Sequence, residues 1–186
     1  MTKHKKSTRR KERYMSYAVG VDVGGTKIEA VLVDSKGNVL QRTRIPTMAD
    51  EGMNVVLERI EAAAKAVMTT KVRGIGIGMP GYLINGVLHG CPNIPCLKGK
   101  QVLNLLQKRF DVPVTIENDA NCFALAEQHW GAGAGKNDVV GVIIGTGVGS
   151  GIIVGGKLIT GSRGAAGEFG GITQHIGASV VQHQGG

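Results

Sequence analysis

The chain has 186 residues and is 42% hydrophobic, enough to bury the core of one ordinary domain, or of one lobe and part of a second. Its formal net charge is +8, but residues 1–13, with seven basic side chains and one acidic side chain, account for +6 of it. No apolar run approaches the roughly 20 residues needed to span a bilayer, and the three cysteines are odd in number and lack metal-ligand spacing. The composition therefore argues against a membrane protein, a disulfide scaffold and a basic fold, and favours a reduced cytoplasmic protein.

The basic run at the start of the chain has two interpretations. Such an arm can dock on nucleic acid or on an anionic lipid surface, or it can be a solvated extension. We favour a disordered extension over residues 1–16, because Met15 is a plausible start and Tyr17 begins the first predicted strand. No apolar segment follows the run, so it is not a secretory signal. We accordingly expect no nucleic-acid partner and no membrane partner.

In chain order, the apolar patterns predict the alternating strands and helices of an α/β protein. The predicted elements are strands at 17–22, 28–33 and 39–45, a helix at 53–67, a strand at 72–79, an irregular loop at 82–98, a helix at 102–110, a strand at 112–116, a helix at 120–130 and a strand at 139–144. We interpret Trp130 as a core anchor at the end of its helix, and His89, His129 and Cys91 as loop or packing residues. An antiparallel hairpin followed by strand-helix units defines one lobe over residues 17–134. A second lobe begins at residue 135.

Two glycine-rich turns indicate phosphate binding. One covers residues 22–27 (DVGGTK) and the other residues 145–151 (GTGVGSG), and each lies between two apolar, β-branched runs. Glycine lets backbone N–H groups turn toward an anion without interference from a Cβ atom. Neither turn has the spacing of a Walker A loop or of a dinucleotide fingerprint. Together they suggest phosphates held from two sides.

A third polar segment lies between these turns. Glu117, Asn118 and Asp119 occupy the point where a predicted strand runs into a predicted helix, a usual place for ligand groups in α/β folds. With this segment, the chain closely resembles the ROK family of sugar kinases and repressors. The matching stretches are residues 22–27, 76–81 (GIGMPG), 92–93 (PN), 117–121 (ENDAN), 145–151 and 164–170 (GAAGEFG).

The resemblance implies an actin-like ATPase lobe of the ribonuclease-H type, followed by the start of a second, incomplete lobe over residues 135–171. It implies an ATP-dependent kinase acting on glucose or a close relative such as fructose, mannose or an N-acetylhexosamine. ATP and Mg²⁺ are the implied cofactors, and a homodimer is the family's usual assembly, although doubtful for this chain.

The resemblance also implies roles for particular side chains. Asp119 matches the catalytic base, although an aspartate here is equally suited to cap the helix. Asn118 and Asn93 match sugar ligands, since an amide can both donate to and accept from hydroxyls; an ordinary turn asparagine is the alternative for Asn93. Glu168 matches a carboxylate that contacts the sugar ring, and a solvated loop charge is its alternative. Asp22 matches the aspartate that holds Mg²⁺ through water, with a turn aspartate as the alternative.

The nucleotide would be held by residues of both glycine turns. These are Gly24, Gly25, Thr26, Lys27, Gly145, Thr146, Gly147 and Gly149. The glycines are also what tight hairpins require, and a lysine that opens a strand is often only a solvated edge residue.

The resemblance stops at Gly171, where the family has a histidine followed by a cysteine-rich zinc segment. Residues 172–186 contain no cysteine, and His175 and His183 alone do not make a structural zinc site. We therefore expect no zinc site and interpret residues 172–186 as disordered or out of frame. On this interpretation the chain itself has little kinase activity.

Two other functions remain as alternatives. The chain could be a non-catalytic remnant of a kinase, since the segments expected to complete the nucleotide site are missing. It could also be a ROK-type sugar-responsive repressor. We disfavour the repressor because only 16 residues precede Tyr17, too few for the helix-turn-helix domain of such proteins.

Overall fold

A computed structural model describes residues 16–144 and 148–167. The described residues contain three α-helices, two short 3-10 helices (Ala49–Glu51 and Pro95–Leu97) and ten strands. The helices are α1 (Met53–Val67), α2 (Val102–Gln107) and α3 (Asp119–Trp130). The strands are β1 (Tyr17–Val23), β2 (Lys27–Asp34), β3 (Val39–Pro46), β4 (Val72–Met79), β5 (Tyr82–Ile84), β6 (Val87–His89), β7 (Val114–Asn118), β8 (Val139–Ile144), β9 (Val148–Val154) and β10 (Lys157–Leu158).

The central sheet has five strands in the order β3-β2-β1-β4-β7. Strands β1, β2 and β3 pair antiparallel, whereas β4 and β7 join parallel to β1 and to each other. In β1, Val19, Val21 and Val23 are buried on one face, and the alternate residues, including Asp22, point to the other face. The polar ends of β1 and β7 consequently lie near one another, on either side of β4.

Helix α1 covers one face of this sheet. Its buried residues recur at helical spacing, Val56, Leu57, Ile60, Ala64 and Val67 among them, and they join the strand valines and isoleucines in one core. The opposite face carries few large side chains near its centre, because Gly20, Gly76 and Gly78 occupy β1 and β4 there. That open face forms the floor of the cleft described below.

A second, three-stranded sheet has the order β10-β9-β8. Helix α3 packs against it through Ala120 and Ala124, which lie so close to β8 and β9 that a Cβ atom at Gly141 or Gly151 would come within 2.9 or 2.7 Å of Ala124 Cβ. On its far face, this sheet exposes apolar side chains, with Val140 58% and Ile144 81% accessible. The helix that begins at the polar end of β7 thus connects the two sheets.

Several predicted elements require correction. The segment 82–98, predicted to be irregular, contains the β5–β6 hairpin, whose turn is Asn85-Gly86 with both φ angles positive. Trp130 is 57% exposed rather than a core anchor; its indole lies over Gly37, where a Cβ atom would come within 2.8 Å of the ring.

The helix predicted at 102–110 ends at Gln107, and the strand predicted at 112–116 begins at Val114. The side chain of Gln107 explains both shifts. Its Oε1 accepts from the N–H of Val114 at 2.8 Å, and its Nε2 donates to the carbonyl of Val112 at 3.1 Å. Helix end and strand start are therefore joined by one amide.

Among the described residues, no helix has the length and apolar character needed to cross a bilayer.

Candidate active site

The first glycine turn joins β1 to β2 and is held from outside by Thr47. The hydroxyl of Thr47 donates to the carbonyl of Gly24 at 2.6 Å, and its N–H donates to the carbonyl of Thr26 at 3.0 Å. Within the turn, the N–H of Gly24 donates to the carbonyl of Lys27 at 2.9 Å. Thr47 is fully buried, so it fixes the shape of the turn without facing a ligand.

Asn93 contacts this turn directly. A Cβ atom at Gly25 would lie 2.7 Å from the carbonyl oxygen of Asn93 and 2.9 Å from its Cβ. Only glycine permits that approach. The structure thus places an exposed asparagine that we predicted to bind sugar against the turn that we predicted to bind phosphate.

The junction of β7 and α3 is capped mainly by Asn118, while Oδ1 of Asp119 accepts only from the N–H of Ala120, at 2.8 Å. The Oδ1 atom of Asn118 accepts from the N–H groups of Ala120 at 2.9 Å and Asn121 at 3.1 Å, which is the N-cap geometry. Its Nδ2 donates to the carbonyl of Gly81 at 3.0 Å. Asp119 is the first residue of the helix and is exposed. The capping role that we had considered for Asp119 therefore belongs mainly to its neighbour.

Glu117, which is half-buried, and Asn121, which is buried, support this junction through hydrogen bonds. Glu117 Oε1 accepts from the N–H of Asn118 at 2.8 Å and from Nδ2 of Asn121 at 2.9 Å. Asn121 is 1% exposed, and its Oδ1 has no hydrogen-bond partner among the described residues. Sequence reasoning placed Glu117 where ligand groups are usual but assigned neither residue a specific role, although both belong to the segment 117–121 that carries the resemblance.

Asp22 and Asp119 face the same cleft. The cleft has a volume of about 610 Å³ and lies between the open face of the central sheet and α3. Its lining includes Gly20, Asp22, Glu29, Gly78, Asp119 and Cys122. The pKa of Asp22 is raised, first by its partial removal from water inside the concave cleft and then by repulsion from Asp119 and Glu29. Lys27 and Arg44 oppose the rise.

This electrostatic arrangement suits a divalent cation. A bound cation would stabilise the anionic form of Asp22, whose pKa is raised by burial and by the neighbouring carboxylates. Carboxylate oxygens, together with water, are the ligands that Mg²⁺ prefers. The donor set therefore fits a magnesium ion held at Asp22. No group of three or more histidine, cysteine, aspartate or glutamate side chains within residues 16–144 and 148–167 is arranged to hold a metal directly.

The remaining predicted nucleotide and sugar residues divide into two groups. Gly145, Thr146, Gly147 and Glu168 lie outside the described residues. Gly149 lies within the described residues, in β9. A Cβ atom there would come within 3.1 Å of Ala120 Cβ, so a glycine at this position lets α3 pack close to the strand. The residue before Glu168 in the sequence is Gly167. The hydroxyl of buried Ser150 in β9 donates to the carbonyl of Gly167 and so connects this residue to the strand.

Cys122 lines the cleft one helical turn after Asp119, and we expect its thiol to be unreactive. Burial, reinforced by Glu117 and Asp119, raises its pKa to about 11. Because the thiolate is the reactive form, alkylation by iodoacetamide at pH 8 should be roughly 100-fold slower than for an ordinary thiol and should speed up about tenfold per pH unit. Mass spectrometry of the Cys122 peptide, with the chain unfolded in guanidinium as the control, measures this. Equal rates in the folded and unfolded chain would contradict the raised pKa.

The fold, with its two sheets and connecting helix, is the α/β actin-like ATPase fold, as predicted. Solved sugar kinases share this fold. The chain belongs to the ROK family, which it matches over residues 18–183. The match continues beyond Gly171, where we expected the resemblance to stop.

Particular relatives are sugar kinases. The chain is 37% identical over 159 residues to a glucokinase of Streptomyces coelicolor, covering 84% of this chain and 49% of the relative. It is 36% identical over 167 residues to the N-acetylgalactosamine kinase AgaK of a Shewanella species, covering 89% and 54%. A solved ROK glucokinase of Streptomyces griseus, in complex with glucose and AMPPNP, superposes with a TM-score of 0.72 at 36% identity, over 83% of this chain and 50% of that one. The chain thus spans about half the length of the curated relatives that it matches.

Proposed function

We propose that this chain carries the sugar-binding and phosphate-binding half of an ATP-dependent hexose kinase. The observation that supports the proposal most strongly is the position of Asp22 and Asp119 in one cleft, beside a glycine turn that contacts Asn93. Such a cleft can bring together a hydroxyl, a base and a phosphate chain. Phosphoryl transfer from ATP depends mainly on this positioning and on neutralising charge.

In the proposed reaction, Asp119 is the general base. Its carboxylate accepts the proton of a sugar hydroxyl as the hydroxyl oxygen attacks the terminal phosphorus of ATP, while the bond from that phosphorus to the bridging oxygen breaks and ADP leaves. The start of α3 suits this role, because Asn118 satisfies the first N–H groups of the helix and leaves Asp119 exposed to the cleft. Asn93 and Glu168 would contact the sugar. Asn118, which is buried and whose amide binds the helix start and Gly81, would position the sugar by fixing the wall of its site.

The phosphate end lies at the β1–β2 turn. Backbone N–H groups of Gly25 and Thr26, with the ammonium group of Lys27, would bind the terminal phosphates, and the loop of Gly145, Thr146 and Gly147 would bind them from the second lobe. Asp22 would hold Mg²⁺ through water, and the ion, when bound, neutralises charge that develops on the transferred group. The substrate is glucose or a close relative such as fructose, mannose or an N-acetylhexosamine.

The test is hexose-dependent turnover of ATP. Because the chain spans about half the length of its relatives, the assay should use both the 186-residue chain and a chimaera in which the second half comes from the Streptomyces coelicolor relative. We expect the chimaera to release ADP and to form a hexose phosphate only when a hexose and Mg²⁺ are both present. ATP hydrolysis that does not depend on any hexose, or no turnover with the whole panel, would contradict the proposal.

A further inference from the structure

Two arginines of the edge strand β3 converge on one carboxylate beside the cleft. Glu29 in β2 lies opposite Asp22 on one side and opposite Arg44 on the other, so the three residues form a row across the sheet. Arg44 donates from Nε to Glu29 Oε2 at 2.6 Å and contacts the same oxygen through Nη2. Arg42 approaches the other oxygen, Oε1, with its Nη1 at 3.2 Å. Glu29 lines the cleft, and it thereby holds both guanidinium groups on the next strand, just outside the cleft's lining residues.

The negative charge of the cleft is the reason that two arginines beside it matter. Asp22, Glu29 and Asp119 all line it, and three carboxylates repel the polyphosphate chain that the proposed reaction requires. Positive charge beside the cleft offsets this repulsion and attracts anions from solution. The Arg42 and Arg44 side chains are 59% and 55% accessible, and each guanidinium has five N–H donors, so both can bind a phosphate oxygen while remaining paired with Glu29.

We propose that Arg42 and Arg44 form an anion-binding pair for the phosphate chain of the phosphoryl donor, with Glu29 as the residue that positions them. This inference rests on the proposed function, because it assigns the pair to the same cleft. The simpler alternative is that the three residues are an ordinary exposed ion-pair cluster, and such clusters contribute little.

The chain contains a matched control for that alternative. Glu61 in α1 also holds two cationic side chains, Lys65 at 2.6 Å and Arg109 at 2.7 Å. Unlike Glu29, Glu61 does not line the cleft, and its helix α1 covers the opposite face of the central sheet. The variants Lys65→Gln/Arg109→Gln and Arg42→Gln/Arg44→Gln therefore each remove two positive charges. Each also leaves one glutamate without its two cationic partners.

The experiment compares these two double variants with the wild-type chain by calorimetric titration with Mg²⁺·AMPPNP and with tripolyphosphate, at low and high salt. We expect Arg42→Gln/Arg44→Gln to raise the Kd of both anions about tenfold at low salt and to flatten the salt dependence. The Lys65→Gln/Arg109→Gln variant should change the Kd less than about twofold, since its charges are distant and screened. Hexose affinity should be the same in all three proteins.

The outcomes separate this inference from the proposed function. Wild-type binding that both double variants retain, or lose equally, would overturn the role of the arginine pair and leave the proposed function standing. If the chimaera with wild-type Arg42 and Arg44 bound neither AMPPNP nor tripolyphosphate, both would be overturned. If the Arg42→Gln/Arg44→Gln variant melts below the working temperature, an Arg44→Lys variant replaces it, because lysine keeps the charge but lacks the planar guanidinium. We then expect the Kd of both anions to rise about threefold. An unchanged Kd would overturn the inference.

Discussion

Replacing Asp119 with asparagine should lower hexose-dependent turnover by about 10²-fold or more, the loss expected when a general base is removed. Hexose affinity should stay within about twofold, because the amide keeps the size and hydrogen-bonding reach of the carboxylate. The helix should also keep its start, since its first N–H groups are bound by Asn118. The measurement is steady-state turnover of the chimaera together with hexose titration of the same variant.

Asn118→Ala is the informative comparison. It removes the N-cap and the contact with the carbonyl of Gly81, so it should cost on the order of 1 kcal/mol in the free energy of unfolding. Asp119→Asn should leave the melting temperature nearly unchanged. If Asp119→Asn kept near-wild-type turnover but melted early, Asp119 would be a structural residue of the helix start and not the base.

Replacing Gly81 with alanine should destabilise the fold by roughly 3 kcal/mol, enough to lower the melting temperature by about 10 °C. Gly81 has a φ of 96°, and a Cβ atom there would lie 2.2 Å from the carbonyl oxygen of His89. Both its backbone conformation and the neighbouring chain exclude a side chain. The same residue accepts the Nδ2 donor of Asn118, so the variant should also disturb the start of α3.

Gly99→Ala separates these two effects. Gly99 also has a positive φ, 73°, but nothing lies within 4 Å of a Cβ atom built there. It should therefore show only the cost of the left-handed conformation, about 1 kcal/mol. Thermal melting of both variants separates the cost of the left-handed backbone from the cost of the clash. Equal losses of stability in Gly81→Ala and Gly99→Ala would mean that the packing of Gly81 against the end of β6 is unimportant.

The order of the elements could be read from the sequence because the apolar periods are clear and the strand ends carry polar residues. Asp22 and Asp119 were predicted to be functional, and the parallel pairing of β1, β4 and β7 explains why residues about 100 positions apart meet. The β5–β6 hairpin was missed, although Asn85-Gly86 is a strong hairpin signal. The nearby prolines suggested an irregular segment instead.

Other features depend on contacts that no local pattern reveals. Nothing around Thr47 marks it as the residue that fixes the first glycine turn, because its partner Gly24 belongs to another strand connection. Asn118 and Asp119 are both suitable caps, and only the backbone decides: Asn118 has extended angles, φ −58° and ψ 142°, while Asp119 is already helical. The indole of Trp130 packs over Gly37, a turn residue distant in the sequence, and no local pattern predicts that contact.

The most direct test is a crystal structure of the chain, or of the chimaera, with a hexose and Mg²⁺·AMPPNP. We predict that the sugar lies in the cleft between the central sheet and α3, with one hydroxyl about 2.6–3.2 Å from the Asp119 carboxylate and the terminal phosphate at the Gly24–Gly25 turn. A hexose bound elsewhere, for example in the recess between Asn85 and Arg163, with Asp119 beyond hydrogen-bonding reach of every hydroxyl, would contradict the account.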